Sequence, residues 1–104
     1  MLNAEDASTI SISETTLHSF LDQNTNSAYS HAILGKWHLS RNEPNRPTEM
    51  GVGHYAGLLG GGVADYNSWS LTQNGERNNS TDYITTKTTD LTIEWIGQQE
   101  KPWF

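Results

Sequence analysis

Leu34-Gly35-Lys36-Trp37-His38-Leu39 closes a short apolar run that begins at Tyr29. If residues 29–34 form a strand, Lys36 and His38 project from its C-terminal end, and in open α/β sheets ligands bind outside that end. Gly35 permits a tight turn and a close backbone approach there. On extended chain, residues two apart point the same way. Lys36 and His38 can then reach one anion, while Trp37 turns away and packs. The plain alternative is an ordinary turn with a solvated lysine and a surface histidine, and the rest of the chain must decide between them.

Upstream, Ser13 suits an N-cap and Glu14 suits the first turn of a helix, where the dipole favours a carboxylate. Leu17, Phe20 and Leu21 make one apolar stripe at helical spacing. The pattern predicts a helix over 14–23, ended by residues 24–27. Helix, short loop, strand and functional loop make half of an α/β unit. Residues 1–12 are polar and are expected to be ragged. His18 lies beside the apolar stripe and His31 within the strand, and both are expected to be packed or solvated rather than ligands.

Downstream, residues 40–49 read as loop, because Pro44 and Pro47 interrupt regular structure. Residues 50–63 carry Gly51, Gly53, Gly57, Gly60, Gly61 and Gly62. A phosphate-cradling loop is one reading, but no Gly-Lys-Ser/Thr ending follows, so close packing is the better account. Asn74-Gly75 is a strong hairpin signal, with residues 66–71 leading out and a few residues after Gly75 returning. Residues 80–100 are ambiguous. Thr85, Thr86, Thr88, Thr89 and Thr92 favour a strand, and Leu91, Ile93 and Trp95 alternate. Ile84, Thr88, Leu91 and Trp95 also form a helical stripe, Asp82 suits a helix start, and the uninterrupted length favours a helix.

The bulk properties bound the function. One small domain fits in 104 residues, but only 34% are hydrophobic and the mean hydropathy is −0.67, which makes a thin core. A net charge of −6 argues against a nucleic-acid partner and still allows a local cationic pocket. Without cysteine there is no disulfide, thiolate metal site or cysteine nucleophile. No apolar run approaches the roughly 20 residues of a membrane helix, and the N-terminus lacks a signal-peptide pattern. No membrane partner is expected. Pro102-Trp103-Phe104 reads as the start of a strand, which raises the expectation of an internal segment.

These pieces, in this order, resemble the middle of the catalytic domain of sulfatases, in the alkaline-phosphatase-like superfamily. The likeness runs from Thr15 to Phe104. It rests on Thr15-Thr16-Leu17, on Leu34-Gly35-Lys36-Trp37-His38-Leu39 as the family's second signature, and on Gly57-Leu58-Leu59-Gly60-Gly61 with Asp65-Tyr66. Thr81-Asp82-Tyr83, Asp90, Trp95-Ile96 and Pro102-Trp103-Phe104 complete it. The resemblance implies an α/β fold, a fragment of the sulfatase α/β sandwich over residues 13–104, in the order helix–strand–loop–short hairpin–helix. It settles residues 80–100 as helix. It implies that Lys36 contacts the sulfate and the formylglycine nucleophile, and that His38 hydrogen-bonds the hydrated formylglycine. A lysine suits charge developing on sulfate oxygens, and a histidine exchanges protons near neutral pH.

The same resemblance implies calcium in an intact member, a sulfated small molecule or carbohydrate as partner, and a periplasmic or extracellular location. Several family features have no counterpart in the segment: the Cys/Ser-x-Pro-x-Arg formylglycine precursor, the Asp-Asp and Asp-Asn metal ligands, the second lysine, and the histidine expected soon after Phe104. Asn42-Glu43-Pro44-Asn45-Arg46 has the proline and arginine spacing of the nucleophile motif, but Asn42 stands where cysteine or serine is needed. Ser40 replaces the usual glycine. The expectation is therefore a fragment of a sulfuric ester hydrolase that is inactive alone. The alternatives are a non-catalytic module holding a small anion through Lys36 and His38, and a related phosphoryl-transfer hydrolase.

Overall fold

The computed structural model describes residues 9–41 and 43–104; the readings made for residues 1–8 and for Asn42 lie outside the described residues. The elements in order are helix α1 (Leu17–Thr25), strand β1 (Ile33–Leu34), a short helix α2 (Arg46–Glu49), β2 (Tyr55–Gly57), β3 (Trp69–Gln73), β4 (Glu76–Ser80) and helix α3 (Ile84–Gly97). The four strands form one mixed sheet in the order β1-β2-β3-β4. β1 and β2 are parallel, with Ile33 opposite Tyr55, and β2–β3 and β3–β4 are antiparallel.

α1 starts later than the sequence predicts. The cap is Thr16, whose Oγ1 accepts from the Ser19 amide at 3.1 Å and donates to the Met50 carbonyl at 2.7 Å. Ser13 instead pairs with Ser11 through their hydroxyls at 2.8 Å. A tertiary contact thus selects among several good capping residues. The helix ends where Asn26 enters the left-handed region, at φ 54°. Thr9 and Ile10, grouped with the ragged segment, are tied in. Thr9 bridges Ser40, the Ile10 amide donates to the Leu39 carbonyl at 2.6 Å, and the Ile10 side chain packs on the core.

Formal strand pairing covers only Ile33–Leu34 of the predicted residues 29–34, but the run has neighbours on both sides. The Ile33 and Gly35 amides donate to His54 and Ala56 of the β2 segment. The Ser30 and Ala32 amides donate to Pro102 and Phe104, and Ser30 pairs with Trp103 in parallel. Consecutive residues of an extended chain face opposite sides of a sheet. Trp103 meets Trp95 of α3, with ring centroids 6.1 Å apart, and Phe104 stacks on His18 of α1 at 5.3 Å. α1 and α3 therefore cover opposite faces, which gives the helix–sheet–helix layering of α/β proteins.

α3 resolves the ambiguous threonine-rich stretch. Thr88, Thr89 and Thr92 donate from Oγ1 to the carbonyls of Ile84, Thr85 and Thr88, each at 2.8 Å. Such back-bonding satisfies a β-branched polar side chain within a helix. Trp95 is its buried anchor. Asp82 does not cap this helix. Tyr83 holds the N-cap position without a side-chain bond, and Asp82 pairs with Lys87 at 3.6 Å.

The hairpin turns at Asn74-Gly75, with φ of 47° and 93°, the all-positive turn that Asn-Gly favours. Its strands run to Gln73 and from Glu76, so the outgoing arm lies later than residues 66–71. It is also more than an excursion. Asn74 Oδ1 accepts from the Tyr55 amide at 2.8 Å, which ties the turn to β2.

Four of the glycines are packing glycines, as read. A Cβ on Gly57 would overlap the Gly35 carbonyl, one on Gly51 would meet Ser19 Cβ at 2.9 Å, one on Gly53 the His31 carbonyl at 2.8 Å, and one on Gly61 the His38 ring at 2.5 Å. The main core is Trp37, Met50, Val52, Tyr55 and Leu59, with Ile10 and Ile33 against it.

Candidate functional site

The site is assembled from the loops that leave β1 and β2. Because the two strands are parallel, Gly35–Leu39 and Leu58–Gly62 emerge at the same edge of the sheet. Hydrogen bonds continue past the strands: the Trp37 amide donates to Leu58 O at 3.1 Å and the His38 amide to Leu59 O at 2.9 Å. Gly35, at φ 131°, makes the turn. The Tyr55 hydroxyl donates to the Gly35 carbonyl at 2.7 Å, and burial pushes that phenol's pKa well above its ordinary range. Tyr55 is thus a fixed, protonated donor that pins the loop from beneath.

Lys36 and His38 are exposed, and Trp37 between them is buried. Trp37 packs edge-on to Tyr55 and donates from Nε1 to Ser40 Oγ at 2.9 Å. Ser40 Oγ in turn donates to the Glu43 carbonyl at 3.2 Å, and Ser40 is almost wholly buried. The serine in the usual glycine position is therefore an anchor of the loop. His38 sits at φ 58° and Arg41 at φ 50°, left-handed conformations that cost non-glycine residues on the order of 1 kcal/mol or more. The two-residue alternation argued for extended chain stops short of His38. The left-handed turn and the face of Gly61 set where its imidazole lies. Among the described residues, no hydrogen bond or ion pair engages the Lys36 or His38 side chains.

Beside this loop is a cleft of about 230 Å³ lined by Leu58, Leu59, Gly60 and Gly62 and, from the hairpin, Ser70, Thr72 and Arg77. Thr72 is 1% exposed, and its hydroxyl has no hydrogen-bond partner among the described residues. An unsatisfied buried hydroxyl costs roughly 1–3 kcal/mol. Sequence reasoning passed over Thr72 and Arg77. Their only signal is two-residue alternation with Ser70 on a hairpin whose register the sequence leaves open.

His18 and His31 are packed, as expected. His31 Nδ1 accepts from the Gly53 amide at 2.9 Å, so its proton is assigned to Nε2, which donates to the Asp22 carboxylate at 3.0 Å. One imidazole thereby ties α1, the β1 run and the loop before β2. Burial lowers the pKa of His18, and neighbouring His31 lowers it further against the opposing pull of Asp22. His54, stacked on Trp95, is lowered by burial against the pull of Glu94.

Among the described residues no three His, Asp or Glu side chains gather as a metal site. No described helix is long and apolar enough to cross a membrane.

Two of the solved structures that this chain is similar to bear on its fold. One is BT4656 in complex with its substrate D-glucosamine-2-N,6-O-disulfate: 26% identity, TM-score 0.65, covering 93% of this chain and 18% of that one. The other is Ps i-CgsB in complex with k-i-k-neocarrahexaose: 26% identity, TM-score 0.60, covering 78% of this chain and 23% of that one. The chain thus spans about a fifth of the length of these proteins, and its mixed α/β fold corresponds to a piece of the sulfatase α/β fold. No family model and no curated protein sequence matches the chain.

Proposed function

We propose that this chain is part of the catalytic domain of a sulfuric ester hydrolase acting on sulfated carbohydrate, with Lys36 and His38 in its active site. The observation that carries the reading is the superposition of nearly the whole chain on an enzyme solved with a disulfated glucosamine substrate. The local geometry agrees with it. An exposed lysine and histidine stand at the carboxyl edge of parallel strands, where open α/β sheets bind ligands. The strand at 102–104 runs parallel to residues 30–32, so its carboxyl end points to that same edge.

In this reading Lys36 lowers the energy of negative charge on the sulfate oxygens, and His38 holds or exchanges a proton at the nucleophile. A formylglycine nucleophile and calcium, proposed for the intact enzyme, belong to residues outside this segment. Calcium there would polarise the ester as a Lewis acid. The environment follows the resemblance, periplasmic or extracellular.

The test is steady-state kinetics on a full-length chain containing this segment. Lys36→Ala should lower kcat on the order of 10²-fold. His38→Ala should lower kcat and reshape its pH profile, and the double mutant should fall well short of the product of the two effects. Trp37→Phe should stay within a few-fold. Unchanged kcat in both single mutants would return the loop to an ordinary turn. The 104-residue chain alone should show no turnover of an aryl sulfate. Calcium-dependent turnover above a Lys36→Ala control would overturn the fragment reading.

A further inference from the structure

The cleft between the Leu58–Gly62 loop and the β3–β4 hairpin has features of a binding site that the Lys36–His38 loop does not account for. It borders that loop directly, because the His38 ring lies against Gly61 while Gly60 and Gly62 line the cleft. At about 230 Å³ it is smaller than the roughly 300–1,000 Å³ of sites for drug-sized ligands, and so suited to one sugar ring rather than several. Its hairpin wall is polar. Thr72 and Arg77 are directly paired across the ladder, and Ser70 lies two residues from Thr72 on the same face. Its floor holds the buried Thr72 hydroxyl that has no partner among the described residues. A turn of about 120° about χ1 carries a threonine's hydroxyl to the position its methyl held, so an occupant offering hydroxyl groups can draw Oγ1 to a new rotamer where it is satisfied.

We infer that this cleft is the subsite for the sugar ring whose sulfate ester meets Lys36 and His38, with Thr72 and Ser70 binding ring hydroxyls and Arg77 selecting a ring that carries a second anionic substituent. The placement of a sulfated ring beside Lys36 and His38 rests on the sulfatase reading; the cleft and its polar wall do not. It assigns specificity to the hairpin, apart from the catalytic pair.

The test is an amide-resolved NMR titration of the 104-residue chain at low ionic strength with three probes: inorganic sulfate, N-acetylglucosamine 6-O-sulfate and glucosamine 2-N,6-O-disulfate. Both sugars should move the amides of Gly60, Gly62, Ser70 and Thr72 as well as those of residues 35–38, whereas inorganic sulfate should move residues 35–38 alone. Arg77→Ala should cut the preference for the disulfated over the monosulfated sugar by about fivefold to tenfold and leave the response to sulfate unchanged. Thr72→Val should weaken both sugars and Thr72→Ser should restore them, with thermal melts of the two variants checking the fold. If the sugars move residues 35–38 and leave the hairpin still, the subsite is wrong and the sulfatase reading stands. If they move the hairpin while residues 35–38 ignore every probe, the cleft binds sugar but its pairing with Lys36 and His38 is wrong, and the sulfatase reading loses its anion site. Silence everywhere overturns the inference.

Discussion

The parallel half of the sheet and the hairpin half are built on different physical terms. β2 is buried at every position, whereas β4 is exposed at all but its last residue and β3 is buried at Trp69, Leu71 and Thr72 but exposed at Ser70. The parallel strands carry α1 on one face and α3 on the other, and their loops close on each other through glycines. The hairpin is held by its own ladder and an Asn-Gly turn, with one face open. A strand covered on both faces has no room to vary, while an open face can be polar and bind. The rigid half therefore presents Lys36 and His38, and the hairpin half supplies the adjacent polar wall.

The largest effect that would break this contrast is expected at Gly57. Its missing Cβ faces the Gly35 carbonyl, backbone against backbone, with no flexible side chain to yield. Gly57→Val should abolish cooperative thermal unfolding, a cost above about 4 kcal/mol; a wild-type melt would show that the parallel pair is not closely locked. A smaller loss is expected at the hairpin. Gly75→Ala strains a residue at φ 93°, where an added Cβ also presses on Asn45, and should cost about 1–3 kcal/mol by urea titration. The chain should remain folded, and the amides of residues 35–38 should shift less than those of the hairpin. Equal shifts in both regions would mean that the halves are one unit.

The smallest effect concerns pH. His18 and His54 have pKa values below the ordinary 6.5 in the folded chain. The unfolded chain therefore takes up protons at pH values where the folded chain does not. Stability should be full above about pH 6.5 and decline as pH falls through that value toward the depressed folded pKa values. The urea midpoint should drop modestly between pH 7.5 and 5.5, and the drop should shrink in His18→Phe. A rise over that interval would contradict the burial of both rings.

Exposed apolar side chains sharpen the comparison further. Leu17 and Phe20 on α1 and Ile93 on α3 are 61%, 52% and 63% exposed, so both covering helices show apolar outer surface. Leu17 and Phe20 belong to the apolar stripe that predicts the helix, yet both face outward. α1 docks through Thr16 on Met50, His18 on Phe104, Ser19 on Gly51 and Asp22 on His31, contacts that its apolar stripe does not announce.

Much of the candidate site is local chemistry and was legible from residues alone. A glycine at a strand end, a lysine and a histidine around a packing tryptophan, glycines that must pack, and an Asn-Gly turn each carry their own backbone demand. The resemblance also turned the threonine-rich stretch into a helix, and the hydroxyl back-bonds explain how it can be one. Tertiary structure decided the rest. Thr16 became the cap because Met50 offers it a carbonyl. Ser40 became an anchor because Trp37 and Glu43 converge on its hydroxyl. Residues 102–104 became a strand neighbour by pairing with Ser30 and Ala32, far away in sequence. Thr72 and Arg77 came to line a cleft only when the hairpin register met the loop after β2. Contacts of that kind depend on where distant segments dock, and no periodicity within a segment encodes them.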